Sequence, residues 1–110
     1  MGKASRTKGR LGQTRAANML RERDWIVADL SAGIATEDLL AKDPDGGDWS
    51  VEVKMTKAIT VEHRKQAQEQ AKQRRARWML CSHIEGTSSW LVQRQGCLPT
   101  VWQERDVKDS

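Results

Sequence analysis

Asp38-Leu39-Leu40-Ala41-Lys42-Asp43-Pro44-Asp45-Gly46-Gly47-Asp48-Trp49-Ser50-Val51-Glu52-Val53-Lys54 is the stretch on which the fold turns. Its middle, residues 43–48, is a turn by chemistry, because Pro44 presets φ and Gly46 and Gly47 accept positive φ. The runs on either side, 37–42 and 49–54, have strand character, and two short strands across such a turn make a β-hairpin. Along the second strand Ser50, Glu52 and Lys54 point to one side. Trp49, Val51 and Val53 point to the other, the core side by their apolarity. Hairpin pairing brings Asp38 of the first strand next to Glu52. Two neighbouring carboxylates cost free energy unless a cation sits between them.

Working outward, residues 9–23 carry Gly12, Ala16, Met19, Leu20 and Arg23 at helical spacing. The small residues Gly12 and Ala16 would let this helix lie close on a sheet. Residues 1–8 are small, polar and basic and read as a flexible arm. Residues 25–30 read as a first strand, and Ser31-Ala32-Gly33 as a loop. After the hairpin, Thr60 is an N-cap candidate for a helix reaching Arg75. Its apolar positions are Val61, Ala67 and Ala71, so it should lie thinly on the surface. Residues 78–84 and 88–93 are two further strands around the turn Glu85-Gly86-Thr87. Val101-Trp102 adds a short edge strand before a polar tail, 104–110. The expected fold is α/β, one domain over 9–103, ordered helix-strand-strand-strand-helix-strand-strand. The strand–helix–strand passage demands a mixed sheet, flanked by helices, with a parallel crossover.

With 110 residues, of which 37% are apolar and 31% charged, the chain suits one small, very polar globular domain. It holds no apolar run long enough to span a bilayer and no apolar stretch behind its basic N-terminus, so neither a membrane partner nor a secretory signal is expected. Cys81 and Cys97 are too few for a disulfide framework or a zinc site and read as structural thiols of a reducing cytoplasm. The five Trp residues, 25, 49, 78, 90 and 102, stand in for absent Tyr and Phe as core filler. The net charge of +4 is unevenly spread: residues 1–23 carry +6, 24–56 carry −6 and 57–94 carry +5. An acidic middle between basic flanks suits a cation at the centre and a polyanion around it, although basic residues also solvate helices.

Asp38, thirteen intervening residues, and then Glu52-Val53-Lys54 resembles the motif of the PD-(D/E)XK nuclease superfamily. The helix at 9–23 and the loop at 31–33 are similar to those of archaeal-type Holliday-junction resolvases and virus-type replication–repair nuclease domains, and the likeness covers about residues 9–92. The resemblance implies a restriction-endonuclease-like core. It implies Asp38 and Glu52 as metal ligands with the Val53 backbone carbonyl, and Lys54 as the group that orients the attacking water or faces the phosphoryl oxygens. Mg²⁺ would be the cofactor, with Mn²⁺ able to substitute. The family's Pro before the Asp is Glu37 here, which leaves Glu37 as a rival ligand. Resolvase-like members carry a Glu on the first helix where this chain has Gln13, a neutral oxygen ligand or water-holding group. Some members use a Gln on the second helix near the scissile phosphate, for which Gln66 and Gln70 are candidates; a solvated Gln-rich face is the plainer alternative.

The expected function is a metal-dependent endonuclease that hydrolyses DNA phosphodiester bonds, directed by branched or junction structure because so short a chain has no separate sequence-reading domain. Lys8, Arg10, Arg15, Lys57, Gln66, Gln70 and Arg74 are the expected DNA contacts. A homodimer would present two sites to two strands. The resemblance places such a protein in the cytoplasm of a bacterium or a phage-infected cell. The alternatives are a non-catalytic nucleic-acid-binding module on the same fold, for which the missing helix carboxylate argues, and a protein-interaction domain.

Overall fold

A computed structural model of the chain describes residues 2–28, 38–55 and 61–104, with the side chains of residues 2–10 and of Asp38 outside the description. Two helices and six strands follow in the order α1 (Gly2–Arg21), β1 (Ile26–Val27), β2 (Asp38–Lys42), β3 (Asp48–Lys54), α2 (Val61–Gln73), β4 (Arg77–His83), β5 (Ser89–Arg94) and β6 (Thr100–Gln103). The fold is α/β. All strands join one mixed sheet in chain order, antiparallel throughout except for the parallel pair β3–β4 that α2 connects.

The hairpin is built around Asp43. Its Oδ1 accepts hydrogen bonds from the backbone N–H groups of Asp45 and Gly47 at 2.9 and 2.8 Å, and its Oδ2 accepts one from the Trp49 indole at 2.8 Å. Gly46 takes a positive φ of 90°. A side chain at Gly47 would collide with the Arg77 guanidinium, which also donates to Asp43 at 3.3 Å. Asp43 therefore fixes the register in which Asp38 stands opposite Glu52 and Leu40 opposite Ser50.

β3 lies between β2 and β4 and is covered on both faces, so Trp49, Ser50, Val51, Glu52 and Val53 are all buried. Trp49, Val51 and Val53 join Ala16, Met19, Leu20 and Trp25 in the main core beneath α1. Gly12 brings α1 against Met55, whose Cγ would stand 2.7 Å from a Cβ there. The other face carries Ser50, Glu52 and the buried Leu80, beneath Ala67 and Ala71 of α2.

Several boundaries differ from expectation. α1 is helical from Gly2, so residues 2–8, read as an arm, continue its backbone; no proline interrupts them, and each added residue gains a hydrogen bond once a helix has nucleated. β1 is only Ile26–Val27. Thr60, Ser31-Ala32-Gly33, Glu37 and Lys57 lie outside the described residues. Val61 is exposed rather than packed, leaving α2 to bury two alanines. Trp25, Trp49 and Trp90 are core residues, whereas Trp78 and Trp102 are half-buried. Cys81 is buried, and burial pushes its thiol up to about 12 despite the nearby Arg94; Cys97 is exposed and is no packing residue. Among the described residues no helix is long and apolar enough to cross a membrane.

Candidate metal and nucleic-acid site

Glu52 sits on the central strand, on the face that α2 covers, with 8% of its surface exposed. Lys54 follows two residues on, and its Nζ stands 3.6 Å from Glu52 Oε2. Burying a carboxylate is costly unless a charge or hydrogen bonds compensate it, and Lys54 supplies that charge. Asp38 pairs with Glu52 across the antiparallel β2–β3 ladder, and directly opposed residues share a sheet face. The backbone thus assembles Asp38, Glu52 and Lys54 on one face, as the spacing in the sequence led one to expect. Val53 lies between them in the ladder, with Cys81 as its parallel partner.

α2 closes this face from above. Arg74 Nη1 donates to Ser50 Oγ at 3.1 Å, so the C-terminal end of α2 lies over the start of β3. Gln70 is one helical turn, about 5.4 Å, back along α2 from Arg74, and Glu52 is about 6.6 Å along β3 from Ser50. Gln70 is therefore brought level with Glu52. Gln66, a further turn on, is exposed.

Gln70 Oε1 and Ser82 Oγ are both buried without a hydrogen-bond partner. Ser82 is the parallel register partner of Lys54 and only 4% exposed. Buried oxygens of this kind each cost about 1–3 kcal/mol while unpaired, and these two stand on α2 and β4, the elements beside β3. Among the described residues no three His, Cys, Asp or Glu side chains converge. The described donors are the Glu52 carboxylate, backbone carbonyls and neutral side-chain oxygens, with Asp38 placed opposite Glu52 by its backbone. That hard-oxygen set fits Mg²⁺, which keeps several waters that need acceptors.

The remaining expected residues fall elsewhere. Gln13 is on α1, next to the Gly12 that rests on Met55 and Val53 at the end of β3. Arg15 is engaged in the packing of that face: its guanidinium bonds Glu104 at 2.6 and 3.0 Å and lies 3.1 Å from His83 Nε2. The Trp90 indole donates to the same Glu104 at 2.9 Å. Burial pushes the Glu104 carboxyl up, but the bonds from Arg15 and Trp90 outweigh it and hold the group below its ordinary range. Arg15 is thus occupied within the fold by Glu104. Lys8 and Arg10 are placed by the α1 backbone alone.

Sequence reasoning missed Ser82, Asp43 and Glu104. Ser82 follows the apolar run Trp78-Met79-Leu80-Cys81, where a small hydroxyl reads as filler. Glu104 gave no signal, because its partner Arg15 lies 89 residues away. Comparison of the chain with protein-family models, curated proteins and solved structures returns no match.

Proposed function

We propose that this chain is a metal-dependent endonuclease of the PD-(D/E)XK type, with a restriction-endonuclease-like core, that hydrolyses DNA phosphodiester bonds at branched or junction structures. The observation that carries the proposal is the register of Asp38 against Glu52 on a covered sheet face, with Lys54 3.6 Å from the Glu52 carboxylate. The element order and the single parallel crossover support the same reading.

Asp38 and Glu52, with the Val53 carbonyl, would hold Mg²⁺ or Mn²⁺. When bound, such an ion polarises a phosphoryl oxygen and acidifies a coordinated water. Lys54, whose Nζ stands 3.6 Å from Glu52 Oε2, would orient the attacking water and face the negative charge that grows on the phosphoryl group. The unpaired oxygens of Gln70 and Ser82 would accept hydrogen bonds from water that such an ion carried. Arg74, which reaches Ser50 on the same face of β3, would be a phosphate contact from α2. A second copy of the chain would present a second site to the opposite strand of a junction.

Branched, single-stranded and duplex DNA are incubated with the protein in Mg²⁺ or Mn²⁺, beside Glu52→Ala and Lys54→Ala. Cleavage by the wild type, reduced at least about 100-fold in both variants, is the expected result. Variants that cut as fast as the wild type would remove the catalytic assignment. DNA binding without cutting by any form would favour the non-catalytic module.

A further inference from the structure

Beside the candidate site, on the same side of the sheet, α2 and the β4–β5 region enclose an open cleft of about 420 Å³, a size typical of small-ligand sites. Arg64 of α2, Trp78 of β4, Gln93 of β5 and, beyond that strand, Cys97 and Leu98 line it. Its position relative to Glu52 follows from register. Glu52 pairs with Leu80, and Leu80 pairs with Gln93, so the three share a face. Gln93 is thus two strand spacings, about 10 Å, from Glu52, within reach of the nucleotides flanking a phosphate held there.

Trp78 differs from the other tryptophans. Trp25 packs on Trp49 and Trp102, and Trp90 packs on His83. Among the described residues Trp78 enters none of these ring contacts and no cation–π pair, although its backbone is pinned by Gln95 through bonds of 3.0 and 3.3 Å. A half-buried indole on a rigid strand, facing an open cleft, is a stacking platform with little entropy left to lose. Arg94 also lines the cleft, but its guanidinium lies over Trp102, 5.1 Å from the ring centroid. Arg64, on the exposed side of α2, is the lining cation suited to a phosphate.

We infer that this cleft is a subsite for an unpaired nucleotide of the DNA strand, its base stacked on Trp78, its edge met by the Gln93 amide and its phosphate by Arg64. The ligand class rests on the nuclease reading above. The occupant is single-stranded because a base inside a duplex has no free face to offer Trp78. A protein with this subsite would favour substrates with splayed nucleotides next to the cut, such as forks, flaps and junction centres.

The test is fluorescence anisotropy of a labelled single-stranded DNA oligonucleotide and of a fully paired duplex, in EDTA so that no hydrolysis occurs. Trp78→Ala should weaken single-strand binding about tenfold, Trp78→Phe should keep most of it, and duplex binding should be nearly unchanged. Arg64→Ala should also weaken the single-strand complex. In the wild type, the oligonucleotide should slow alkylation of Cys97 by iodoacetamide. Single-strand binding by Trp78→Ala and Arg64→Ala equal to the wild type, a Trp78→Ala loss as large on duplex as on single strand, or an unchanged Cys97 rate would each overturn the inference. Should Trp78→Ala fail to fold, Arg64→Ala and the wild-type alkylation decide it. Oligonucleotide protection without cleavage in Mg²⁺ would sink the nuclease reading and keep the subsite; cleavage without protection would do the reverse.

Discussion

Glu52 and Lys54 were legible as residues because a strand's two-residue period puts them on one side whatever surrounds them. What the period does not show is burial: α2 covers that side, so Glu52 is a buried carboxylate and not a surface charge. Mg²⁺ that binds the folded chain alone should raise its stability by about 2.7 kcal/mol at 100 times the dissociation constant. Thermal melts with and without Mg²⁺ should show that gain in the wild type and lose it in Glu52→Gln; an equal gain in both would place the ion elsewhere. Ser82 was not legible as a site residue, because a small hydroxyl in an apolar strand passes for filler. Its Oγ has no partner, so Ser82→Ala should stabilise the metal-free protein by about 1 kcal/mol. If the hydroxyl serves the site beside Lys54, the same variant should cleave several-fold more slowly. A urea midpoint that falls would show that Oγ is already satisfied.

The hairpin was legible as an element, since Pro44 and Gly46-Gly47 mark it without reference to the rest of the chain. The start of α1 and the length of β1 were not: a nucleated helix adds residues 2–8 by local propagation, whereas β1 extends only as far as its pairing with β2. Asp43 shows how an element carries pH dependence. Its hydrogen bond from the Trp49 indole, then that from Gly47, hold its carboxyl below the ordinary value of 3.8. A depressed carboxylate contributes stability that is complete above its unfolded pKa and is lost as pH falls through the lower folded one. Asp43→Ala should therefore be less stable than the wild type at neutral pH, and the gap should close as acid protonates Asp43. Urea midpoints measured from neutral pH to below pH 3.8 check this, and a gap that stays constant would contradict it. The end of α2 offers the opposite case. Arg75 is held at φ 55° while Ala76 N–H bonds the Ala71 carbonyl at 2.9 Å, a left-handed cap that favours glycine. Arg75→Gly should raise stability by about 0.5–1 kcal/mol, read as a higher melting temperature.

On the scale of the whole molecule the two faces of the sheet have different electrostatic tasks, which the charge sequence alone did not separate. It placed basic flanks at both 1–23 and 57–94 and so suggested cations from both for DNA. The fold engages several of the first set internally: Arg15 bonds Glu104, Arg23 lies 4.7 Å from the Trp102 centroid, and Arg21 reaches the Val27 carbonyl. On the α2 side Arg64, Lys65 and Lys72 remain exposed, on the helix that covers Glu52. A bound polyanion should therefore be met chiefly by α2. Every duplex phosphate that a side chain ceases to neutralise should make the negative slope of log K against log salt concentration shallower by about 0.9. Replacing Arg64, Lys65 and Lys72 together by Ala should flatten that slope by about two to three and weaken binding to every sequence alike. Arg15→Ala should leave the slope as it is while lowering stability, because it strands the Glu104 carboxylate that also holds Trp90. Titrations over a range of salt separate the two effects. A slope that flattens with Arg15→Ala and not with the triple variant would place the DNA on the α1 face, away from Asp38, Glu52 and Lys54.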